Sequence, residues 1–317
     1  MSNMNAVITK KRVIKESLLL KDLKRRKYIY MMMLPVLVYY FLFAYLPMYG
    51  IVISFQEYNL TKGILHSPWV GLKHFQSFFS GIYFSRATWN TLAINILGLI
   101  FGFPTPIIFA LLLNEVKNRL AKSAFQTLSY LPYFISLVVV CGLIREFTSA
   151  HGFITTLSSI FFGYDANMSM LNVPNLYRPI YVISDIWQSL GWSSIIYLSA
   201  ISSINPEYYE AAVLDGATRW QQVIHITIPS ISNTIIMLFI LSMGGLMGIG
   251  LEKPLLLYNQ ATYSVSDVIS TYIYRQGLIV MEISYASAVG LFNSVANFVI
   301  LIVANKIVGK VSGSSLF

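Results

Sequence analysis

Residues 210–229 read EAAVLDGATRWQQVIHITIP and form a polar segment between two long apolar runs. Asn205 and Pro206, just before this segment, predict the start of a helix, because asparagine caps free backbone N–H groups and proline is tolerated at the first helical position. Gly216 predicts a sharp turn, since glycine adopts positive φ readily. Pro229 predicts the end of a second helix, because it has no backbone N–H. The segment is therefore expected to be two short helices joined by a tight turn.

The composition of the chain indicates that this segment belongs to a membrane protein. Of the 317 residues, 56% are hydrophobic and only 11% are charged, whereas soluble domains average about 25% charged residues. A membrane β-barrel would show alternating segments of roughly 10 residues, and the apolar runs here are longer and do not alternate. The sequence therefore predicts an all-α integral membrane protein.

Six apolar runs are long enough to cross a membrane, because a transmembrane helix needs about 20 mostly apolar residues. They are predicted at residues 30–55, 89–113, 127–148, 179–202, 231–251 and 283–308. Together they define a transmembrane domain over residues 30–308, and the polar segment is part of the connection 205–230 within it.

The N-terminal segment, residues 1–29, predicts the topology. It carries Lys10, Lys11, Arg12, Lys15, Lys21, Lys24, Arg25, Arg26 and Lys27. Lysine and arginine close to a span are retained on the cytoplasmic side, so six spans place the N-terminus, the connection 205–230 and the tail 309–317 in the cytoplasm. The net charge of +9 thus reflects topology and does not indicate nucleic-acid binding. A helix lying on anionic lipid is the alternative interpretation of the basic run.

The connection closely resembles the EAA loop of bacterial ABC importer permeases. The positions that match the family pattern are Glu210, Ala211, Ala212, Asp215, Gly216, Ala217, Trp220, Ile226 and Pro229. VGLKHFQSFF at residues 70–79 and NTL at residues 90–92 are similar to features of carbohydrate-importer permeases. Six spans after a long basic N-terminus resemble the LplB-like branch, which carries polysaccharides and oligosaccharides. Val223 departs from the pattern, since an aromatic residue is common there.

The resemblance implies a type I, MetI-like permease fold in a bacterial plasma membrane, surrounded by lipid. It implies four kinds of partner: a second homologous permease, two cytoplasmic ATPase subunits, an extracellular solute-binding lipoprotein and an oligosaccharide substrate. ATP and magnesium are expected on the ATPase. The chain contains no G-x-x-x-x-G-K-[ST] phosphate loop, so it is expected to be no enzyme and to hold no cofactor. Glu210 is expected to meet a basic residue of the ATPase, and Gly216 to aim the coupling helix.

Polar and aromatic side chains within the spans are candidates for the substrate path, because polar groups in a membrane tend to face a bundle interior or an aqueous passage. The candidates are Asp185, Trp187, Gln188, Trp192, Met243, Met247 and Asn293. The two methionines flank glycines that would allow a gate or hinge. Aromatic belts at the membrane interface and ordinary helix packing are the alternative interpretations.

Three other functions are weighed against the sugar importer. The coupling motif does not identify the cargo, so an importer for an amino acid, a polyamine or phosphate is the nearest alternative. An ion-driven secondary carrier is disfavoured by the absence of an evident internal repeat. The sequence shows no catalytic nucleophile with its base and no paired histidine spacing that predicts a metal site, which disfavours a membrane enzyme.

Overall fold

The computed structural model describes residue 22 and residues 25–312, and the fold over these residues is almost entirely helical. The α-helices are α1 Lys27–Tyr40, α2 Gly63–His66, α3 Lys73–Ser80, α4 Ile82–Leu97, α5 Pro104–Glu115, α6 Arg119–Tyr130, α7 Leu137–Phe147, α8 Phe153–Phe162, α9 Pro174–Ser202, α10 Glu207–Leu214, α11 Arg219–Gln222, α12 Ile228–Ser230, α13 Ser232–Met243, α14 Glu252–Leu257, α15 Tyr263–Ser266, α16 Ile269–Tyr274 and α17 Ile283–Ser312. Tighter 3₁₀ segments are Leu46–Phe55, Leu131–Phe134, Met170–Asn172 and Gln260–Thr262. Wider π-helical segments are Phe41–Tyr45, Gly98–Gly102, Val223–Thr227 and Arg275–Ile279. One isolated antiparallel bridge, between Gln56 and Trp69, is the only β-pairing in the described part of the chain.

Three continuous helical stretches are long and apolar enough to cross a membrane: Lys27–Phe55, Ile82–Glu115 and Ile283–Lys310. They contain the first, second and sixth predicted spans. Two bent helix pairs raise the number of candidate spans in the described residues to five. The predicted fourth span lies within α9, which has 29 residues but is more polar than these five. All-helical membrane architecture is thus confirmed.

The third predicted span, 127–148, is not one straight helix. Arg119–Phe134 and Leu137–Phe147 meet at 98°. Pro132 lies in the 3₁₀ turn that ends the first part, and Ile135 has an extended backbone, with φ −78° and ψ 134°. A proline-tightened turn followed by an extended residue interrupts the helical hydrogen bonds, and the apolar run alone did not reveal this bend.

The fifth predicted span, 231–251, ends earlier than expected, because α13 stops at Met243. Turns follow it, with Gly245 N–H bonded to Ser242 O at 3.1 Å. The helical stretch Arg219–Ser230 precedes α13 and is bent from it by 62°. The stretch ends at Ser230, one residue after Pro229, so the helix end predicted at this proline is confirmed.

The first span, Lys27–Phe55, lies apart from the rest of the bundle in its N-terminal half. None of its most apolar window is buried, and side chains such as Leu34 and Phe43 are 59% and 68% exposed. Only its 3₁₀ part, Leu46–Phe55, packs against α17. The first half of this span therefore presents apolar surface to its surroundings. Residues 1–21, 23, 24 and 313–317 of the predicted N-terminal segment and tail lie outside the described residues.

Three buried clusters hold the remaining helices together. One surrounds Tyr177 and Tyr181 of α9 and includes Cys141 of α7 and Leu257 of α14. The second surrounds Phe78 of α3, and its members are Ala87, Met247, Ile269, Tyr272 and Val289. The third joins Ala110, Tyr197, Ile201 and Ile231. The helices α4, α5, α9 and α13 are thereby fixed around a common space, and the connection that contains α10 to α12 extends from one end of it.

Candidate coupling surface and translocation cavity

The coupling segment, defined as residues 205–230, begins with a capped helix as predicted. Asn205 Oδ1 accepts a hydrogen bond from the backbone N–H of Glu207 at 3.1 Å, and Asn205 Nδ2 donates to Glu207 Oε2 at 3.0 Å. Glu207 and Glu210 lie in the first turn of α10, where the helix dipole favours negative charge. Local chemistry therefore sets the start of this helix.

Gly216 forms the turn between the two halves of the segment. Its φ is +79°, and its N–H bonds to Val213 O at 3.1 Å while Ala217 N–H bonds to Ala212 O at 2.8 Å. This pair of hydrogen bonds is the Schellman arrangement that closes a helix around a residue in the left-handed conformation. The turn expected from the Asp-Gly step is confirmed in its geometry.

The second half of the segment is closed by its own side chains. Thr218 and Gln221 form a capping box at the start of α11, which satisfies backbone donors at the helix end. The hydroxyl groups of Tyr209 and Thr227 are 2.8 Å apart and link α10 to the second half. The two halves thus hold one another in a hairpin.

This hairpin leaves a large apolar surface uncovered. Leu214 is 88% exposed, Trp220 72% and Tyr208 59%. Glu210, Ala211 and Asp215 are exposed as well, and the Glu210 carboxylate has no hydrogen-bond or ion-pair partner among the described residues. Several large apolar side chains exposed on one short hairpin indicate a site of contact with another molecule.

Trp220 and Val223 lie three residues apart, a spacing that places side chains near one another on a helix surface, yet their exposure differs. Val223 is 8% exposed and packs inward, whereas Trp220 is 72% exposed. A π-helical turn follows at Val223–Thr227. Arg219 Nη1 lies 4.0 Å from Glu115 Oε2 at the end of the second span, which ties the hairpin to the bundle.

A cavity of about 740 Å³ lies between the second span, α9 and α13. Its polar lining comes from Asn95, Asp185, Ser189, Ser193 and Ser242, and its aromatic lining from Phe103, Tyr181, Trp192 and Tyr197. Asp185, Ser189, Trp192 and Ser193 recur along one face of α9, at the helical spacing of three and four residues. An aromatic and hydrogen-bonding wall of this kind suits a sugar ring, which has apolar faces and hydroxyl edges.

The predicted path residues fall into two groups. Asp185 and Trp192 line the cavity, and the Trp192 ring stacks on Tyr133 with centroids 4.7 Å apart. The others are not part of its wall: Trp187, Gln188, Met243, Met247 and Asn293. Met247 is packed in the core beside Phe78, and its N–H donates to Asn297 Oδ1 at 2.8 Å.

Sequence reasoning missed Asn95 and Lys253. Asn95 lies in the cavity wall, and its Nδ2 donates a hydrogen bond of 2.7 Å to the backbone oxygen of Leu246. The Lys253 side chain is 6% exposed, and its Nζ lies 3.1 Å from Asp185 Oδ1. A signal for Lys253 was available, since it stands beside Glu252 in the otherwise apolar segment 249–257, and a lysine requires a partner when buried.

The outer connection, defined as residues 249–282, is hydrogen-bonded to helix α4. Asn90 Nδ2 donates to the carbonyls of Ser264 and Asp267, at 3.1 and 3.0 Å, and the Thr91 hydroxyl accepts from Ile269 N–H at 3.0 Å. Arg275 forms a paired contact with the buried Asp267 carboxylate, at 2.7 and 3.1 Å. The NTL motif at residues 90–92 is therefore an anchor for this connection.

No group of three or more His, Cys, Asp or Glu side chains suited to a metal ion occurs in the part of the chain that the structure describes. The functional features are instead an exposed coupling hairpin and a cavity between membrane helices. These features define a transport permease, and the chain belongs to the family described as "Binding-protein-dependent transport system inner membrane component", which matches residues 102–312. As a member of that family it is a non-catalytic membrane component with no cofactor of its own.

Two relatives of known name indicate which branch of the family the chain resembles. The chain is 41% identical to the polygalacturonan/rhamnogalacturonan transport system permease protein YteP of Bacillus subtilis (strain 168), over 99% of this chain and 97% of that protein. It is 40% identical to protein LplB of the same organism, over 93% of this chain and 92% of that protein. The resemblance to LplB-like importer permeases is thereby confirmed.

A solved structure shows the same fold. A chain from the bacterial ABC transporter that imports the acidic polysaccharide alginate superposes with a TM-score of 0.84, at 42% identity over 93% of this chain and 99% of that chain. That transporter has also been solved with a periplasmic protein that carries an alginate pentasaccharide.

Proposed function

We propose that the chain forms half of the translocation pore of an ATP-driven, binding-protein-dependent importer of oligosaccharides. The observation that supports this most directly is the pairing of a sugar-sized, aromatic and polar cavity with an exposed coupling hairpin in one chain. The polygalacturonan/rhamnogalacturonan and alginate cargo of the similar proteins supports an oligosaccharide as substrate. The chain is an integral protein of the bacterial plasma membrane, with six spans and both termini in the cytoplasm.

The second permease packs against the first span. The N-terminal half of that span, Lys27–Tyr40, contains no buried residue, so its apolar side chains are available to a neighbouring subunit as well as to lipid. A homologous permease beside this chain completes the pore around the cavity, which opens between α5, α9 and α13.

Two cytoplasmic ATPase subunits supply the driving motion, one through each permease. The surface for the ATPase is Glu210, Ala211, Ala212, Asp215, Gly216, Ala217, Trp220 and Pro229. Leu214 and Trp220 provide its apolar area. The Glu210 carboxylate, which has no partner among the described residues, meets a basic side chain of the ATPase. When ATP closes the ATPase pair, the hairpin moves with its docking cleft and the cavity opens outward. An extracellular solute-binding lipoprotein then delivers the sugar, and ATP hydrolysis returns the bundle to its inward-open state.

The experiment is a mild-detergent purification of this chain from its native membrane, with identification of the copurifying proteins and of any sugar on them. We expect a second permease, an ATPase with a phosphate loop and a lipoprotein carrying an oligosaccharide. Uptake of that sugar is expected to stop on ATP depletion and to continue when an uncoupler removes the ion gradient. A lipoprotein loaded with an amino acid, a polyamine or phosphate would contradict an oligosaccharide cargo and identify the chain as a permease for that solute. Recovery of the chain alone, with uptake that the uncoupler abolishes, would replace the importer by an ion-driven carrier.

A further inference from the structure

The wall of the cavity carries a single ionised group. Among the described residues that line it, Asp185 is the only side chain charged at neutral pH. Its carboxylate is 62% exposed, so it faces the open space rather than the interior of the helix bundle. A carboxylate that faces a cavity lined mainly by apolar side chains repels anions more strongly than the same group in bulk water, because the surrounding dielectric is lower.

A buried cation stands directly behind this carboxylate. Lys253 lies in α14 of the outer connection and its side chain is only 6% exposed. Its Nζ donates to Asp185 Oδ1 at 3.1 Å and to the backbone carbonyl of Tyr181 at 3.2 Å, and it lies 4.6 Å from the centre of the Tyr181 ring. The ammonium group therefore points at the back of the cavity wall and is shielded from solvent.

The arrangement balances charge at one point of the passage. Burial of an ammonium group is costly without a partner, and an exposed aspartate alone would already offer hydrogen bonds to sugar hydroxyls. The added lysine changes a different property, since it cancels the negative potential that Asp185 would otherwise project into the cavity. Such cancellation matters for an anionic cargo and is of little consequence for a neutral one.

We infer that Lys253 is a specificity-determining residue: it neutralises Asp185 so that the cavity admits oligosaccharides of uronic acids. This inference rests on the proposed function and names its substrate class. The acidic polysaccharide carried by the structurally similar transporter agrees with it. Lys253 acts through Asp185 and through the potential in the cavity, and its side chain does not itself line the passage.

The test measures uptake by the complete transporter, with all its subunits, in proteoliposomes. The probes are a galacturonate trisaccharide and its neutral methyl ester, at concentrations at which the wild type imports both. Lys253→Met leaves Asp185 uncompensated, and we expect acid uptake to fall by about tenfold while ester uptake changes by less than about threefold. Asp185→Ser leaves the cation uncompensated and is expected to raise the acid-to-ester ratio. Lys306→Met, which removes an exposed positive charge near the end of α17, is the matched control and should leave the ratio unchanged.

The double variant Lys253→Met/Asp185→Ser separates electrostatics from a structural role. With both charges removed, the acid-to-ester ratio should return to within about threefold of the wild type. If Lys253 merely fixed α14 to α9, both substrates would be lost equally in Lys253→Met and the double variant would not recover; that result overturns the inference. Should Lys253→Met fail to assemble, an unchanged ratio in Asp185→Ser overturns it equally. A wild-type transporter that imports neither sugar contradicts the proposed function itself and is recognised before any variant is compared.

Discussion

The coupling segment and the outer connection lie at opposite ends of the bundle and keep their shapes in opposite ways. In the coupling segment the side-chain hydrogen bonds are local, such as Asn205 to Glu207 and Thr218 to Gln221. In the outer connection they reach far along the chain, for example from Asn90 to Asp267. Leu214 in the first is 88% exposed, whereas Asp267 in the second is 2% exposed.

The difference indicates what each region can do. A hairpin that closes on itself can move as a unit at little cost, because the ion pair between Arg219 and Glu115 that links it to the bundle is long and exposed. Its uncovered apolar side chains can bind a partner. A connection anchored through buried polar groups cannot move without exposing them, and each such group costs free energy when it is left unpaired. Substitutions in the outer connection should therefore reduce stability, and substitutions in the coupling segment should reduce transport.

The largest effect is expected for Arg275→Met. Asp267 is buried and its carboxylate receives both contacts from Arg275, at 2.7 and 3.1 Å. Removing one partner of a buried ion pair leaves an uncompensated charge and typically costs about 3–5 kcal/mol. Thermal unfolding in detergent, followed by the loss of monodisperse protein, should show a markedly lower midpoint and less assembled transporter.

Lys73→Met is the control for this loss. The pair between Lys73 and Glu57 is just as short, 2.7 Å, but both side chains are more than half exposed. The lysine lowers the pKa of the Glu57 carboxyl through this hydrogen bond, yet exposed pairs contribute less than about 1 kcal/mol. Equal destabilisation by the two substitutions would mean that burial of Asp267 does not govern the stability of the outer connection.

The second prediction concerns transport without a change in stability. Glu210→Lys reverses an exposed charge that has no partner among the described residues, so thermal unfolding of the chain should not change. Uptake by the assembled transporter should fall by about tenfold, because a contact with a basic residue of the ATPase becomes a repulsion. Glu210→Gln, which keeps the shape and removes the charge, should give an intermediate rate. Wild-type uptake by Glu210→Lys would remove Glu210 from the coupling contact.

The same two regions show how much the sequence predicted. The caps and turn of the coupling segment depend on neighbouring residues, so Asn205 and Gly216 were interpreted correctly from the sequence. The helix end at Pro229 was placed correctly as well, since the helical stretch ends at Ser230 and the next helix is bent from it by 62°. Val223 packs inward while Trp220, three residues before it, is exposed, and no local sequence pattern distinguishes the two.

The cavity and the outer connection were less predictable for a physical reason. Hydropathy locates apolar runs, but it does not indicate which polar side chain in a span meets which distant partner. Asp185 and Trp192 were identified as path candidates and do line the cavity, whereas Asn95 was missed. Lys253 was missed because its partner lies in a span 68 residues earlier. The bend of 98° in the third span arises from the backbone around Pro132, which hydropathy does not encode.

The third prediction has the smallest expected effect and isolates the shape of the coupling hairpin. Gly216→Ala places a side chain at φ +79°, where a Cβ meets no neighbouring atom within 4 Å. The cost is therefore conformational alone, about 1–2 kcal/mol for an L-residue in the left-handed region. The hairpin angle should relax, and uptake should fall several-fold while the amount of chain in the membrane stays the same.

Gly142→Ala is the matched substitution in a helix of the bundle. Gly142 lies within α7, where an added Cβ also meets nothing within 4 Å, and alanine favours a helix over glycine by about 1 kcal/mol. Stability should thus change in opposite directions in the two alanine variants, and uptake should fall only for Gly216. If Gly216→Ala transported as well as Gly142→Ala, the angle of the hairpin would not matter for coupling, and the exposed side chains of Leu214, Trp220 and Glu210 would have to transmit the motion by contact alone.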